Sequence, residues 1–198
     1  MLDNLKTYSV ILASNSPRRK ELLKGLDVDF VVKTIDDIDE SYPSDLKGEE
    51  IPMYIANKKA NAYLKDMSDN ELIITADTIV YLSNNLNTGE VLGKPADEAE
   101  ASEMLRKLSG KSHEVITGVC VLTKKKRSIF SVTSKVSFDV LKEEDIQHYV
   151  DHYKPFDKAG AYGIQEWIGF IGVNGLVGSY FNVMGLPVQR LYKELQEF

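Results

Sequence analysis

The chain has 198 residues, 43% hydrophobic and 27% charged, which bounds it to a globular protein of one domain or two small ones. A formal charge of −6 counts against long nucleic acid as a partner. No run reaches the roughly 18 apolar residues of a membrane span.

The opening MLDNLKTYSV lacks the segments of a secretory signal. Apolar residues around Val10–Ala13 then predict a strand over 8–13, and Leu22, Leu23 and Leu26 place a helix over 17–26. Between them lies Ser14-Asn15-Ser16-Pro17-Arg18-Arg19. With Ser16 as N-cap and Pro17 at N1, this turn offers hydroxyls and helix N-terminal N–H groups to an anion. Arg18 and Arg19 stand in a first turn where the macrodipole favours carboxylates, so they read as cations placed for a ligand. A second strand is expected at Asp29–Lys33. The loop TIDDIDESYPSDLKGEE follows; Asp36, Asp37, Asp39 and Glu40 concentrate oxygen donors of the kind Mg²⁺ prefers.

A helix from about Ile51 to Leu64 carries Lys58 and Lys59, which periodicity alone does not separate. The strand Leu72–Thr75 is read as ending at Ala76-Asp77-Thr78. That puts the Asp77 carboxylate at a strand's carboxyl end, where open α/β sheets bind ligands. Ile79–Leu82 and Val91–Leu92 flank SNNLNTGE, a hairpin loop. Lys94 follows in the turn LGKPAD, and Asp97 with Glu100 forms a capping box for a helix Glu98–Leu108. HEVITGVCVLT and SIFSVTSKVSFDV make an antiparallel pair, expected to form a lobe of its own, with Lys124–Arg127 as a solvated tip. Cys120, the single cysteine, lies in this pair, so an internal disulfide is excluded and a cytoplasmic home is the natural reading.

A helix at about 143–151 carries His148 and His152 four apart, without a third metal ligand. The glycine-rich stretch AGAYGIQEWIGFIGVNGLVGSYFNVMGLP reads as short strands and turns, and a last helix runs from Pro187 to about Gln196. Within that stretch Gln165 either reads a base or sugar edge or satisfies backbone groups. The fold class is mixed α/β, with a cleft between lobes as the natural ligand site.

Taken in order, Ser14-x-Ser16-Pro17-Arg18-Arg19, the acidic loop ending in Glu40, Lys59-Ala60, Ala76-Asp77-Thr78, Gly93-Lys94-Pro95, Leu108-Ser109-Gly110, Asp157 to Gln165, Gly178-Ser179-Tyr180 and Gly185-Leu186-Pro187 resemble the Maf family of nucleoside triphosphate pyrophosphatases. The likeness covers essentially the whole chain, residues 1–198, as a single domain. It implies an elongated mixed sheet in two lobes flanked by helices, similar to the inosine triphosphate pyrophosphatases, with a cleft between the lobes.

The resemblance further implies a homodimer that cleaves between the α and β phosphates with Mg²⁺ or another divalent cation such as Mn²⁺ or Co²⁺. Thr78 after the aspartate and Gly163-Ile164-Gln165 resemble the branch acting on dTTP and UTP. A branch acting on 7-methyl-GTP and a non-enzymatic, nucleotide- or nucleic-acid-binding regulator of septation are the rival readings. By motif, Ser14, Ser16, Arg18, Arg19, Lys59 and Lys94 would hold phosphates. Glu40 and Asp77 would serve the metal and water activation, and Thr78 and Gln165 would recognise the base. Glu40 is the match in the acidic loop, with Asp39 the alternative. Glu166-Trp167 replace a glycine that the family often has after Gln165, a departure expected to bear on base selectivity.

Overall fold

The computed structural model describes residues 2–83 and 89–198. Among these residues, seven strands form one mixed sheet: β1 Ser9–Leu12, β2 Val31–Val32, β3 Glu71–Ser83, β4 Gly89–Leu92, β5 Ser112–Leu122, β6 Arg127–Phe138 and β7 Val173–Val177. Their order is β2-β1-β3-β5-β6-β7, with β4 paired to β3. β1 runs parallel to β2 and β3, whereas β3–β4 and β6–β7 are antiparallel. The helices are α1 Pro17–Lys24, α2 Glu50–Asn61, α3 Glu98–Leu108, α4 Glu143–Tyr153, α5 Trp167–Gly172, α6 Tyr180–Met184 and α7 Val188–Leu195. Among the described residues, no helix is long and apolar enough to cross a membrane.

The chain divides into two compact units. One comprises Met1–Asp77, Thr117–Val132 and Gly185–Phe198; the other Thr78–Ile116 and Thr133–Met184. In the first, α2 lies on the sheet face that carries Ile73. Ile11, Ala56, Ala60, Cys120 and Leu122 pack in the same core. The small Ala56 and Ala60 let the helix approach closely, and at Gly118 any side chain would run into the backbone of Pro52 and Met53. Pro52 is tolerated because it sits in the first turn of α2, where the missing N–H is no loss. Burial pushes the Cys120 thiol up to about 11, so it is a core residue.

The second unit has its own core, in which Leu105 and Leu108 of α3 and Ile146, Tyr149 and Val150 of α4 meet Val115, Val136 and Phe138 of the sheet. Asp97 caps α3 as expected, accepting from Glu100 N–H at 2.9 Å, and Glu100 reaches back to Ala96 N–H at 2.7 Å.

The structure corrects several expectations. β3 does not stop at Thr75 but continues through Asp77 to Ser83. Asp77 therefore lies within a strand, and it does so because its carboxylate has a cationic partner there. Of the loop expected at 83–90, Ser83, Gly89 and Glu90 belong to the flanking strands, which pair from Val80 opposite Leu92 to Ser83 opposite Gly89, and residues 84–88 lie outside the described residues. The β5–β6 pair is no separate lobe, since both strands pass through both units. Its connection at Thr123–Lys126 is held by Thr123 N–H to Lys126 O at 2.8 Å. That tip is anchored as well as solvated: Lys124 pairs with Asp69 at 2.8 Å, and Arg127 donates to Asn57 and Asn61. The second strand shrinks to Val31–Val32, and the glycine-rich stretch contains the short helices α5 and α6 beside β7.

Candidate active site

The first unit gathers the acidic and basic residues singled out in its sequence. β1 ends at Leu12, and the last bond across to β3 is Ala13 N–H to Ile74 O at 2.9 Å. The chain then turns away through Ser14-Asn15-Ser16 into α1. Ser14 is buried and its Oγ accepts from Ser16 N–H at 3.2 Å; Ser16 Oγ accepts from Arg19 N–H at 3.4 Å, the N-cap bond expected.

The departure of β1 exposes a carbonyl. Along β3 every second C=O points to the same edge, so Ala76 O faces the place β1 has vacated after Ile74. Arg19 fills it, donating from Nη1 to Ala76 O at 2.8 Å and from Nε to Gly185 O at 2.8 Å. The sequence reading sends both arginines to a ligand; the structure commits at least two of the five guanidinium donors of Arg19 to the backbone. Burial lowers the Arg19 pKa; the charges of Asp77 and Glu40 oppose that and Arg18 adds to it, so these groups share one electrostatic neighbourhood.

The same two-residue period selects the lysine. Ile73, Thr75 and Asp77 stand on the β3 face covered by α2. Thr75 Oγ1 donates to Ala56 O at 2.7 Å, and one helical step further Lys59 Nζ reaches Asp77 Oδ1 at 2.9 Å. Three helix residues rise about 4.5 Å and two strand residues about 6.7 Å, a mismatch that a lysine stem absorbs. Lys59 Nζ also pairs with Glu40 Oε1 at 2.9 Å, so the ammonium of a side chain only 14% exposed joins two carboxylates.

Lys58 points elsewhere, to Asp39 Oδ2 at 2.8 Å and Ser41 O at 3.0 Å. Hydrogen bonds from Lys58 and Ser41 hold the Asp39 carboxyl well below its ordinary range. The geometry thus separates two pairs that the sequence leaves open: Lys59 from Lys58, and Glu40 from Asp39. The Lys58–Asp39–Ser41 contacts hold the loop on either side of Glu40, a supporting role that no sequence signal reveals.

Asp77 closes the first unit and the half-buried Thr78 opens the second. In that unit Lys94 is exposed after β4 and has no hydrogen bond or ion pair among the described residues. Its turn is tied down by Gly160 N–H to Gly93 O at 3.0 Å. Gly160 has φ +68°, and a side chain there would come within 2.8 Å of Val80, so both its conformation and its packing require glycine. Gln165 precedes α5, and its Oε1 is buried without a hydrogen-bond partner.

His148 and His152 stack at 4.3 Å on the exposed side of α4, and no group of three or more His, Cys, Asp or Glu able to hold a metal occurs among the described residues. Glu40 and Asp77 are two hard oxygen donors around one point that already holds a cationic head. With Lys59 they sum to one negative charge. Mg²⁺ binds through one or two carboxylates, the rest being water and phosphate oxygens, so the donors fit such an ion when a phosphorylated ligand completes its shell.

A family model described as Maf-like protein matches residues 9–198. A dTTP/UTP pyrophosphatase of Bacteroides thetaiotaomicron is 60% identical over 197 residues, and one of Bacteroides fragilis 59%, each match covering 100% of both chains. A dTTP/UTP pyrophosphatase of Porphyromonas gingivalis is 52% identical over 200 residues, 100% of this chain and 98% of that one. Among solved structures, a HAM1 protein from Coxiella burnetii superposes with a TM-score of 0.50 over 96% of this chain and 100% of its own, at 15% identity, a likeness of fold alone.

Proposed function

We propose, because this chain belongs to the Maf-like protein family, that it hydrolyses dTTP and UTP to the nucleoside monophosphate and pyrophosphate. The observation that carries the chemistry is the convergence of Glu40 and Asp77 on Lys59, at 2.9 Å each. In the step proposed, a water oxygen attacks the α-phosphorus, the bond from that phosphorus to the α–β bridging oxygen breaks, and pyrophosphate leaves. Asp77 accepts the proton the water loses; it is buried, and Lys59 keeps it oriented. Lys59 supplies a fixed positive charge against the charge that develops on the phosphoryl oxygens.

Ser14, Ser16, Arg18 and Lys94 bind the triphosphate in this reading, while Arg19 lends its charge from its anchored position. Thr78 and Gln165 read the base. Glu40 and Asp77 would hold a divalent cation, Mg²⁺ or alternatively Mn²⁺ or Co²⁺. Bound there, such an ion offsets phosphate charge and lowers the pKa of a coordinated water.

A cytoplasmic location is part of the proposal, since nucleoside triphosphates such as dTTP and UTP are made and used there. A homodimer is part of the proposal: β7 ends the sheet order, and Phe170, Val177 and Phe181 stand exposed on α5, β7 and α6, apolar side chains of the kind a second copy covers. Sedimentation equilibrium at the mass of one chain would reject the dimer. The reaction is tested by pyrophosphate release from a panel of canonical and modified nucleoside triphosphates with Mg²⁺ or Mn²⁺. Release chiefly from dTTP and UTP is expected; release chiefly from 7-methyl-GTP or another purine would overturn the base assignment and leave the chemistry standing.

A further inference from the structure

We infer that Tyr149, Lys158 and Glu166 form a hydrogen-bonded cluster that fixes the Gly163–Gln165 turn and thereby sets the base selectivity of Gln165. The inference rests on the reading of Gln165 as a base contact.

Tyr149 belongs to the buried stripe of α4, with Ile146 and Val150. Its hydroxyl is shared between two ends of one turn: it accepts from Gly163 N–H at 3.0 Å and donates to Glu166 Oε2. The other carboxylate oxygen, Oε1, pairs with Lys158 Nζ at 3.1 Å, and Lys158 also holds Asp157 Oδ1 at 2.8 Å. Lys158 is 7% exposed, so its ammonium depends on these carboxylates for compensation. Burial first, then the Glu166 carboxylate, raises the Tyr149 pKa, which keeps the phenol protonated and able to donate.

Both Glu166 oxygens are thus committed, one to α4 and one to the segment before Gly160. Gly163 completes the closure, for a side chain there would lie 2.8 Å from Glu166 Cδ and 3.1 Å from Gln165 Nε2. Between these fixed neighbours stands Gln165, with Oε1 buried and unbonded. A buried acceptor held in place demands a donor. The N3–H of uracil or thymine is one; cytosine presents a lone pair at that atom and would be refused. Glu166 and Tyr149 are positioning residues: they hold the turn so that Gln165 Oε1 keeps its place.

The test is a double-mutant cycle on UTP and CTP, measuring kcat and KM for the wild type, E166Q, Q165A and E166Q/Q165A, with Y149F as a second route to the same break. Loss of positioning is expected to narrow the UTP-over-CTP preference about tenfold through a higher KM for UTP, with kcat for UTP within about twofold. Y149F should do the same, and E166Q should add nothing to the lost preference once Gln165 is gone. Equal losses on UTP and CTP, effects of E166Q and Q165A that add in full, or variants that melt lower with the preference intact would overturn the positioning role. A Q165A enzyme that keeps the full preference would instead remove the base-contact reading, and the inference with it.

Discussion

Arg19→Lys keeps the charge and removes the fork. In the structure the guanidinium spans two backbone carbonyls, Ala76 O and Gly185 O, each at 2.8 Å. A lysine ammonium lacks the rigid fork that reaches the two carbonyls from separate nitrogens, so the substitution is expected to leave one of them unpaired. A hydrogen bond from a charged donor is worth about 1.5–3 kcal/mol, and a carbonyl stranded without a partner costs a comparable amount. The substitution should therefore destabilise the protein by about 2 kcal/mol. For a chain of this size that is a fall in Tm of roughly 4–8 °C.

Differential scanning calorimetry reads the stability, and steady-state kinetics on UTP at a temperature well below both transitions reads the site. A melting temperature within about 1 °C of the wild type, together with a large rise in KM, would refute the anchoring role and return Arg19 to the ligand as a plain cation.

The two neighbouring lysines should behave as opposites. Lys59→Met, which deprives both carboxylates of their shared partner, should lower turnover by about 10²-fold or more, whereas Lys58→Met, breaking an exposed pair, should stay within a few-fold; equal losses would show that the Asp39 contact matters as much as the buried one. Buried His113 has its pKa lowered by burial from 6.5 to about 4. Its contribution is complete above pH 6.5 and is lost as the pH falls toward 4, because only the unfolded chain takes up the proton in that window. At 1.36 kcal/mol per unit this amounts to about 3 kcal/mol. Urea unfolding at pH 7 and pH 4.5 should show the stability gap between wild type and His113→Gln shrinking by most of that amount, about 2.5 kcal/mol, because pH 4.5 still lies above the folded pKa of about 4; a constant gap would mean that His113 charges in the folded state.

What the sequence discloses follows from how local the cause is. Asp97 and Glu100 lie three residues apart, so the start of α3 was readable from one turn, and its end at Leu108 from the apolar stripe it completes. The Ser16 cap and Pro17 at N1 were equally local. Asp77 was misjudged as a strand end because a carboxylate in a sheet is costly without a partner, and its partner comes from a helix 18 residues back. The choice between Lys58 and Lys59 likewise depends on which one lies over β3, a tertiary fact.

The helices α5 and α6, of six and five residues, are too short to print a period; α5 has glycines within it and α6 lies between Gly178 and Gly185. The Tyr149–Glu166 contact joins residues 17 apart. The motif from Asp157 to Gln165 and the unusual Glu166-Trp167 pair marked that neighbourhood in advance, but neither named Tyr149 or gave Lys158 a role of its own. The family pattern, by contrast, was carried by residue order alone and needed no geometry.

The most direct test of the account is pyrophosphate release from dTTP and UTP by the wild type and by Asp77→Asn, each checked for an unchanged fold by circular dichroism. Rapid release by the wild type and a loss of about 10²–10⁴-fold in the variant, the usual worth of a positioned proton acceptor, are expected. An Asp77→Asn protein that releases pyrophosphate as fast as the wild type, or a wild type that releases none from either nucleotide, would contradict the account.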